Sequence, residues 1–149
     1  MTSSGDAVLP ISDPFGLDRF VQAQADGMWE SALAELERGR KTTHWMWFVF
    51  PQIAGLGRSP MAQRYAIGSL EEARAYLRHP VLGRRLVQGA ETVAAAEGTA
   101  EGIFGNIDAI KLRSSMTLFA RADPDHEAFS RVLERCFDGE PDAATLARL

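Results

Sequence analysis

Three polar residues stand in an apolar sector of a predicted helix near the C-terminal end of the chain. When residues from Ile107 onward are advanced by 100° each, Lys111, Ser114 and Ser115 fall beside apolar side chains that would face the core, and Thr117 falls on the opposite side. These apolar side chains are Ile107, Leu112, Met116, Leu118 and Phe119. An ammonium group in such surroundings must find an anion or change its pKa. Either the lysine extends its end to water while the serines bond back to the preceding turn, or the three residues line a polar pocket.

A second set of polar residues surrounds the apolar run 44–50. His44 begins the run, and it either satisfies a helix end or acts as a proton-transfer group in a cavity. Trp45 is either a core residue or a stacking face for a ligand. Gln52, Arg64 and Tyr65 follow, each flanked by apolar residues. Together with the lysine and the two serines they form the candidate site, with His44 as its catalytic residue and the others as ligand-binding residues.

No standard motif for a cofactor or a metal accompanies these residues. The sequence has no phosphate-binding loop, no His-Glu-x-x-His and no Gly-x-Ser-x-Gly, and its carboxylates and histidines do not cluster. Cys136 is the single cysteine, which excludes an internal disulfide and zinc sites built from several cysteines. We therefore expect neither a metal nor a cofactor, and the sequence leaves open whether the protein is an enzyme.

Helices are the elements expected to position the candidate residues. Ser59-Pro60 is typical of a helix start, and Ser69-x-x-Glu72 is a capping box. The apolar run 44–50 fits a buried strand or a buried helix equally well, but no second segment alternates as a partner strand would. We therefore predict a central helix that is capped by Thr42 or Thr43 and ended by Pro51.

Length and composition predict one folded domain. The chain has 149 residues, of which 46% are hydrophobic and 24% charged, as in an average globular protein. We expect a flexible N-terminal segment at 1–12 and a single helical domain at 13–149. The longest apolar run is too short to cross a bilayer, and no signal peptide precedes it. The sequence thus predicts a cytoplasmic protein, without a membrane partner and, by default, monomeric.

The charge distribution limits the possible partners. A formal net charge of −4 argues against nucleic-acid binding, which needs a basic surface. Residues 41–90, the basic middle segment, nevertheless hold seven lysines and arginines against two glutamates. These cations are either solvated helix faces that pair with the acidic flanks or an anion-binding surface.

Several segments resemble a known family. They are Asp13-Pro14-Phe15 with Arg19-Phe20; the run from Gly39 to Gln52 with its His44-Trp45-Met46-Trp47-Phe48 core; Ser59 to Ile67; His79 to Gly83; and Asp108 to Phe119. Over nearly the whole chain from Asp13, this pattern resembles the bacterial family known as domain of unknown function 1810. The resemblance implies an all-α, multihelical single domain with central buried helices, and it implies no established activity. Some members carry the label calpastatin, but nothing here resembles the disordered repeat of that protease inhibitor.

Two functional hypotheses follow from these residues. In the first, the helices carrying His44, Arg64 and Lys111 enclose a polar pocket that binds a small anionic ligand, such as a nucleotide or a sugar phosphate. In the second, the protein is a non-enzymatic interaction module whose basic middle segment docks an acidic partner. The candidate residues belong to the family-like segments, which fits a shared site but equally a shared core.

Overall fold

The computed structural model describes residues 12–149 as an assembly of helices. In chain order the helices are α1 (Asp18–Ala23), α2 (Met28–Glu37), α3 (Met46–Val49), α4 (Pro60–Arg64), α5 (Leu70–Arg78), α6 (Leu82–Ala95), α7 (Ala100–Ala122), α8 (Glu127–Phe137) and α9 (Ala143–Leu146). These residues form no strand, and a single parallel bridge joins Ile53 to Ile67. The all-α fold class is therefore confirmed. The flexible segment expected at 1–12 falls, except for Ser12, outside the described residues and stays a prediction.

Two helix starts follow the predicted local chemistry. The Ser59 hydroxyl oxygen accepts a hydrogen bond from the Ala62 N–H at 3.1 Å, with Pro60 as the first residue of α4. The Ser69 hydroxyl oxygen likewise accepts from the Glu72 N–H at 3.1 Å. The second half of the predicted capping box differs, because the Glu72 carboxylate accepts from the Gly68 N–H, one residue before the cap.

The central helix predicted from the apolar run is shorter than expected. α3 contains only four residues, and its N-cap is Trp45, without a side-chain cap. The prediction that Thr42 or Thr43 would cap it is wrong, because both backbone N–H groups bind the Glu35 carboxylate in α2 instead. That contact holds residues 42–45 in a non-helical loop, so the helix begins late.

One apolar core joins the helices, and α7 runs through it. Leu112, Met116 and Phe119 are buried completely, as the helical spacing predicts. Gly105 departs from helical geometry, with φ of 82°, and separates a first turn from the rest of α7. Ile107 was expected on the buried side but is 73% exposed, because the segment just after Gly105 extends past the core. Within residues 12–149, no helix combines the length and the apolarity needed to span a membrane.

Arg19 connects α1 to the segment between α4 and α5. Its guanidinium donates to the backbone oxygens of Phe15, Gly16, Arg64 and Ala66 at 2.7 to 2.8 Å, and to the Glu72 carboxylate at 2.9 Å. A planar group with several fixed donors can satisfy such a set of acceptors, which the compact ammonium of a lysine cannot. The contact fixes the backbone on both sides of Tyr65.

Candidate functional site

Three of the eight candidate residues meet in one groove between α7 and α9. This α7–α9 groove has a volume of about 290 Å³ and is lined by Gln52, Leu56, Gly57, Ile107, Ile110, Lys111, Ser114, Asp142 and Ala144. Residues 107, 110, 111 and 114 come from one face of α7, because positions three or four apart are neighbours on a helix. The loop after α3 and the start of α9 supply the remaining residues.

Two exposed isoleucines form the apolar part of the groove. The exposed fractions are 73% for Ile107 and 62% for Ile110, on a helix that buries most of its other apolar side chains. Leu56 and Ala144 add apolar surface across from them. Contiguous exposed apolar surface rimmed by polar groups is typical of a binding site.

Lys111 supplies the positive charge of the groove. Its ammonium lies 3.5 Å from Asp108 Oδ1 and 5.2 Å from the centroid of the Trp47 ring. Lys41 binds the other oxygen of the same carboxylate at 2.9 Å, with only 8% of its side chain exposed. Because one carboxylate serves two ammonium groups and Lys41 is the closer, the Lys41–Asp108–Lys111 cluster retains net positive charge on the side of Lys111.

Ser114 connects α7 to the C-terminal helix. Its hydroxyl lies 3.2 Å from the Ile110 carbonyl and 3.2 Å from Asp142 Oδ2. Asp142 Oδ2 also accepts from the N–H and the hydroxyl of Thr145, at 2.9 and 2.6 Å. The Asp142 N–H donates to Thr117 Oγ1 at 2.8 Å. Thr117 was expected to face away from the core, but it is buried beneath the segment that carries Asp142. Asp142 thus both begins α9 and lines the groove.

Ser115 points away from the groove into the core. It is completely buried, and its hydroxyl has no hydrogen-bond partner among residues 12–149. An unpaired buried hydroxyl destabilises the folded state, whereas a paired one contributes about 1 kcal/mol. The two adjacent serines therefore have opposite expected effects on stability.

We expect Ser115→Ala to raise the free energy of unfolding by up to about 1 kcal/mol, because it removes an unpaired polar group from the core. Ser114→Ala should lower it by about 1 kcal/mol, because Asp142 loses a donor. Urea unfolding of both variants checks this. A loss of stability in Ser115→Ala equal to that in Ser114→Ala would show that the Ser115 hydroxyl has a partner.

Arg64 and Tyr65 lie outside the groove. The Tyr65 ring is 7% exposed and packs between Phe20 and Phe48, with centroid distances of 5.7 and 5.5 Å. Arg64 is exposed and places its guanidinium 5.6 Å from the Tyr65 ring centroid. These two residues belong to the region that Arg19 fixes, so the structure does not bring them together with Lys111.

His44 and Trp45 are also separate from the groove. Trp45 is fully buried, and its indole N–H donates to Glu35 Oε1 at 3.0 Å, so neither its ring faces nor its donor is open to a ligand. His44 is exposed in the loop before α3 rather than on the predicted helix. His44 is not among the residues that line the groove, so the structure does not place its imidazole where it could transfer a proton to a ligand there.

Glu35 organises this loop, and sequence reasoning missed it. Its carboxylate, 4% exposed, accepts from the N–H groups of Thr42 and Thr43, from the Thr43 hydroxyl and from the Trp45 indole, at 2.6 to 3.0 Å. Burial by itself raises the pKa of Glu35, but these four hydrogen bonds outweigh burial and lower the pKa from 4.5 to about 2. The sequence signal that could have identified Glu35 is its position three residues after Ala32, at the edge of the apolar face of α2.

Three larger grooves contain none of the eight candidates, and the smallest of the three, about 380 Å³, lies between α2 and α6. The first, about 560 Å³, is lined by Asp13, Arg78 and His79 among others, and its carboxylate and imidazole already accept backbone N–H groups. The second, about 550 Å³, includes His126, whose Nδ1 caps α8. Within the described part of the chain, no group of three or more His, Cys, Asp and Glu side chains is arranged to hold a metal ion.

A family model and a solved structure match this chain. The family model described as protein of unknown function (DUF1810) matches residues 14–149. The crystal structure of the conserved hypothetical protein Rv1873 from Mycobacterium tuberculosis aligns with a TM-score of 0.90 at 52% sequence identity, covering 92% of this chain and 98% of that one. No curated protein matches the chain. The family model spans almost the whole sequence, and the solved structure shares the helical fold. The chain therefore belongs to the DUF1810 family of proteins of unknown function.

Proposed function

We propose that the protein binds a small molecule in the α7–α9 groove, through an anionic group at Lys111 and an apolar part against Ile107 and Ile110. The observation that carries this proposal is the convergence of Lys111 and Ser114 of α7 with Gln52 of the loop after α3 on a groove with exposed isoleucines. A few polar groups in an otherwise apolar hollow are typical of ligand sites.

The electrostatics favour an anionic group at Lys111. Its side chain is 25% exposed, and Asp108, its nearest carboxylate, is bound more closely by Lys41. Trp47 contacts the ammonium from one side, which leaves the other donors to a ligand. A charge-assisted hydrogen bond in such a partly dry position contributes more than one at an open surface.

The alternative, in which the basic middle segment docks an acidic partner, has less support. Lys41 is paired with Asp108, Arg74 donates to the Ala122 carbonyl, and Arg85 donates to the buried Gln24 side chain. Cations engaged inside the fold contribute little to an external surface. We further propose that the protein is cytoplasmic and monomeric. The proposal assigns it a ligand site and no reaction.

We expect anionic metabolites to stabilise the protein in a Lys111-dependent way. A ligand at 100 times its Kd adds about 2.7 kcal/mol to stability, which raises Tm by roughly 5 to 10 °C for a chain of this size. Thermal-shift measurements with AMP, glucose 6-phosphate and carboxylates such as N-acetyl-leucine test this. Lys111→Met, which keeps the length but not the charge, should weaken the affinity about 10- to 100-fold.

The matched control is Arg131→Met on α8, which also removes one cation from a helix surface. Arg131 pairs with Glu127, one turn earlier, and does not line the groove. Its variant should keep the full shift. A shift that survives in Lys111→Met, or that disappears equally in both variants, would contradict binding in the groove.

A further inference from the structure

The charges lining the α7–α9 groove are balanced, and this bears on what kind of ligand it accepts. Lys111 contributes one positive charge and Asp142 one negative charge, and no other lining residue is charged. The Lys111 ammonium lies 3.5 Å from Asp108, one turn before Lys111 on α7, whereas Asp142 lies 3.2 Å from the hydroxyl of Ser114, one turn after it. The two charges therefore stand about two helical turns apart, or roughly 9 Å along α7. A phosphate that approaches Lys111 also approaches the Asp108 carboxylate, which disfavours polyanions.

Asp142 offers an acceptor to the groove. Within residues 12–149, its side chain accepts one hydrogen bond from Ser114 and two from Thr145, and all three fall on Oδ2. No donor from these residues reaches Oδ1. The lone pairs of Oδ1 can therefore accept from a ligand, and a cationic donor makes the strongest such bond. The side of the groove opposite Lys111 is therefore suited to an ammonium group.

The remaining lining restricts the body of the ligand. Ile107, Ile110, Leu56 and Ala144 provide apolar surface, and Gln52 provides a neutral amide that both donates and accepts. The volume of about 290 Å³ lies just below the range of about 300 to 1,000 Å³ for drug-sized ligands. A small molecule with one apolar substituent fits this description better than a nucleotide does.

We propose that the groove recognises a small zwitterion with an apolar side chain, its carboxylate at Lys111 and its ammonium at Asp142. Free apolar α-amino acids and short apolar peptides share this chemistry. The inference rests on the proposed function, since it assigns a ligand class to the same groove. Of the ligands that the proposed function allows, it excludes nucleotides and sugar phosphates.

Isothermal titration calorimetry on the full chain, with probes that differ in one charge, tests the proposal. The probes are L-leucine, L-leucyl-L-leucine, N-acetyl-L-leucine, which lacks the ammonium, L-leucinamide, which lacks the carboxylate, and inorganic phosphate. At least one of the two zwitterions should bind at least tenfold more tightly than the two blocked compounds and phosphate. The carboxylate and the ammonium are closer together in leucine than in the dipeptide. Comparing the two affinities therefore shows which spacing of the charges the groove prefers.

Two variants assign the charges to residues. Asp142→Asn retains an acceptor at the start of α9, so the helix cap is kept. This variant should weaken the binding of the zwitterion at least tenfold while leaving N-acetyl-L-leucine unchanged. Lys111→Met should weaken both. If Asp142→Asn does not fold, the comparison of probes on the unmodified protein decides.

The outcomes separate this inference from the proposed function. If N-acetyl-L-leucine or phosphate binds as tightly as the zwitterions, and Lys111→Met abolishes that binding, the anionic site stands and the zwitterion is wrong. If L-leucinamide binds as tightly as the zwitterions, the carboxylate at Lys111 is wrong. If none of the probes shows binding that depends on Lys111, both the zwitterion and the proposed use of this groove for such ligands are overturned.

Discussion

Replacing Glu35 with alanine is expected to lower the free energy of unfolding by about 3 to 5 kcal/mol, since it removes one buried carboxylate that accepts four hydrogen bonds. The donors that lose their acceptor include the indole N–H of Trp45, which is completely buried and cannot bind water instead. Without the carboxylate, residues 42–45 lose the four hydrogen bonds that tie this loop to α2. Urea unfolding with far-UV circular dichroism measures the change.

Two further variants make the Glu35 result interpretable. Glu35→Gln keeps the size and one acceptor oxygen but loses the charge, so we expect an intermediate loss of about 2 to 3 kcal/mol at neutral pH. Glu37→Ala removes an exposed carboxylate from the same helix and should change stability by no more than about 0.5 kcal/mol. A Glu35→Ala protein as stable as Glu37→Ala would show that the loop is held by other contacts.

The Glu35 carboxylate also makes stability depend on pH. Its pKa is lowered from 4.5 to about 2 in the folded protein, so its contribution is fully present above pH 4.5 and decreases as the pH falls from there toward 2. The shift corresponds to a contribution of about 3 kcal/mol at neutral pH. The difference in stability between the parent and Glu35→Gln should therefore shrink by about 2 kcal/mol between pH 6 and pH 3. A difference that stays constant with pH would contradict the lowered pKa.

Gly83→Ala is expected to destabilise the protein by about 3 kcal/mol or more. Gly83 lies in the first turn of α6, where a Cβ atom would stand 2.0 Å from the Leu77 carbonyl oxygen and 2.8 Å from its carbon. Both atoms belong to the backbone of α5, so no side-chain rotation relieves the overlap. The two helices must move apart, and the buried contacts between them are lost.

Gly102→Ala provides the matched control for this prediction. It also places a methyl group in the first turn of a helix, but the nearest atom is the side-chain oxygen of exposed Thr99, at 3.2 Å. Alanine favours the helix over glycine by about 1 kcal/mol, so the net change should lie within about 1 kcal/mol of zero. Differential scanning calorimetry compares the two variants. If Gly83→Ala melts within 2 °C of Gly102→Ala, α5 and α6 are not in the close contact described above.

Local patterns explain which parts of the fold were predictable. Ser59 with Pro60, and Ser69 with Glu72, act within a few residues of themselves, so their helix starts follow directly from the sequence. The buried spacing on α7 was predictable for the same reason. The run 44–50 was misjudged, because its conformation depends on Glu35, which lies about ten residues earlier and on another helix. A cap signal in the sequence cannot show that a distant carboxylate engages the N–H and the hydroxyl of the same threonine and holds it in a loop.

The candidate site separates into parts that the sequence determined and parts that only the tertiary structure decided. The residues themselves, the all-α fold and the family follow from the sequence, since composition and helical spacing are local properties. Lys111 and Ser114 are neighbours through the helical spacing of α7, and only tertiary packing adds Gln52 from the loop after α3 and Asp142 from the start of α9. It also leaves His44, Arg64 and Tyr65 elsewhere. Which side chains share a groove depends on contacts between residues far apart in the chain, and such contacts leave no periodic signal in the sequence.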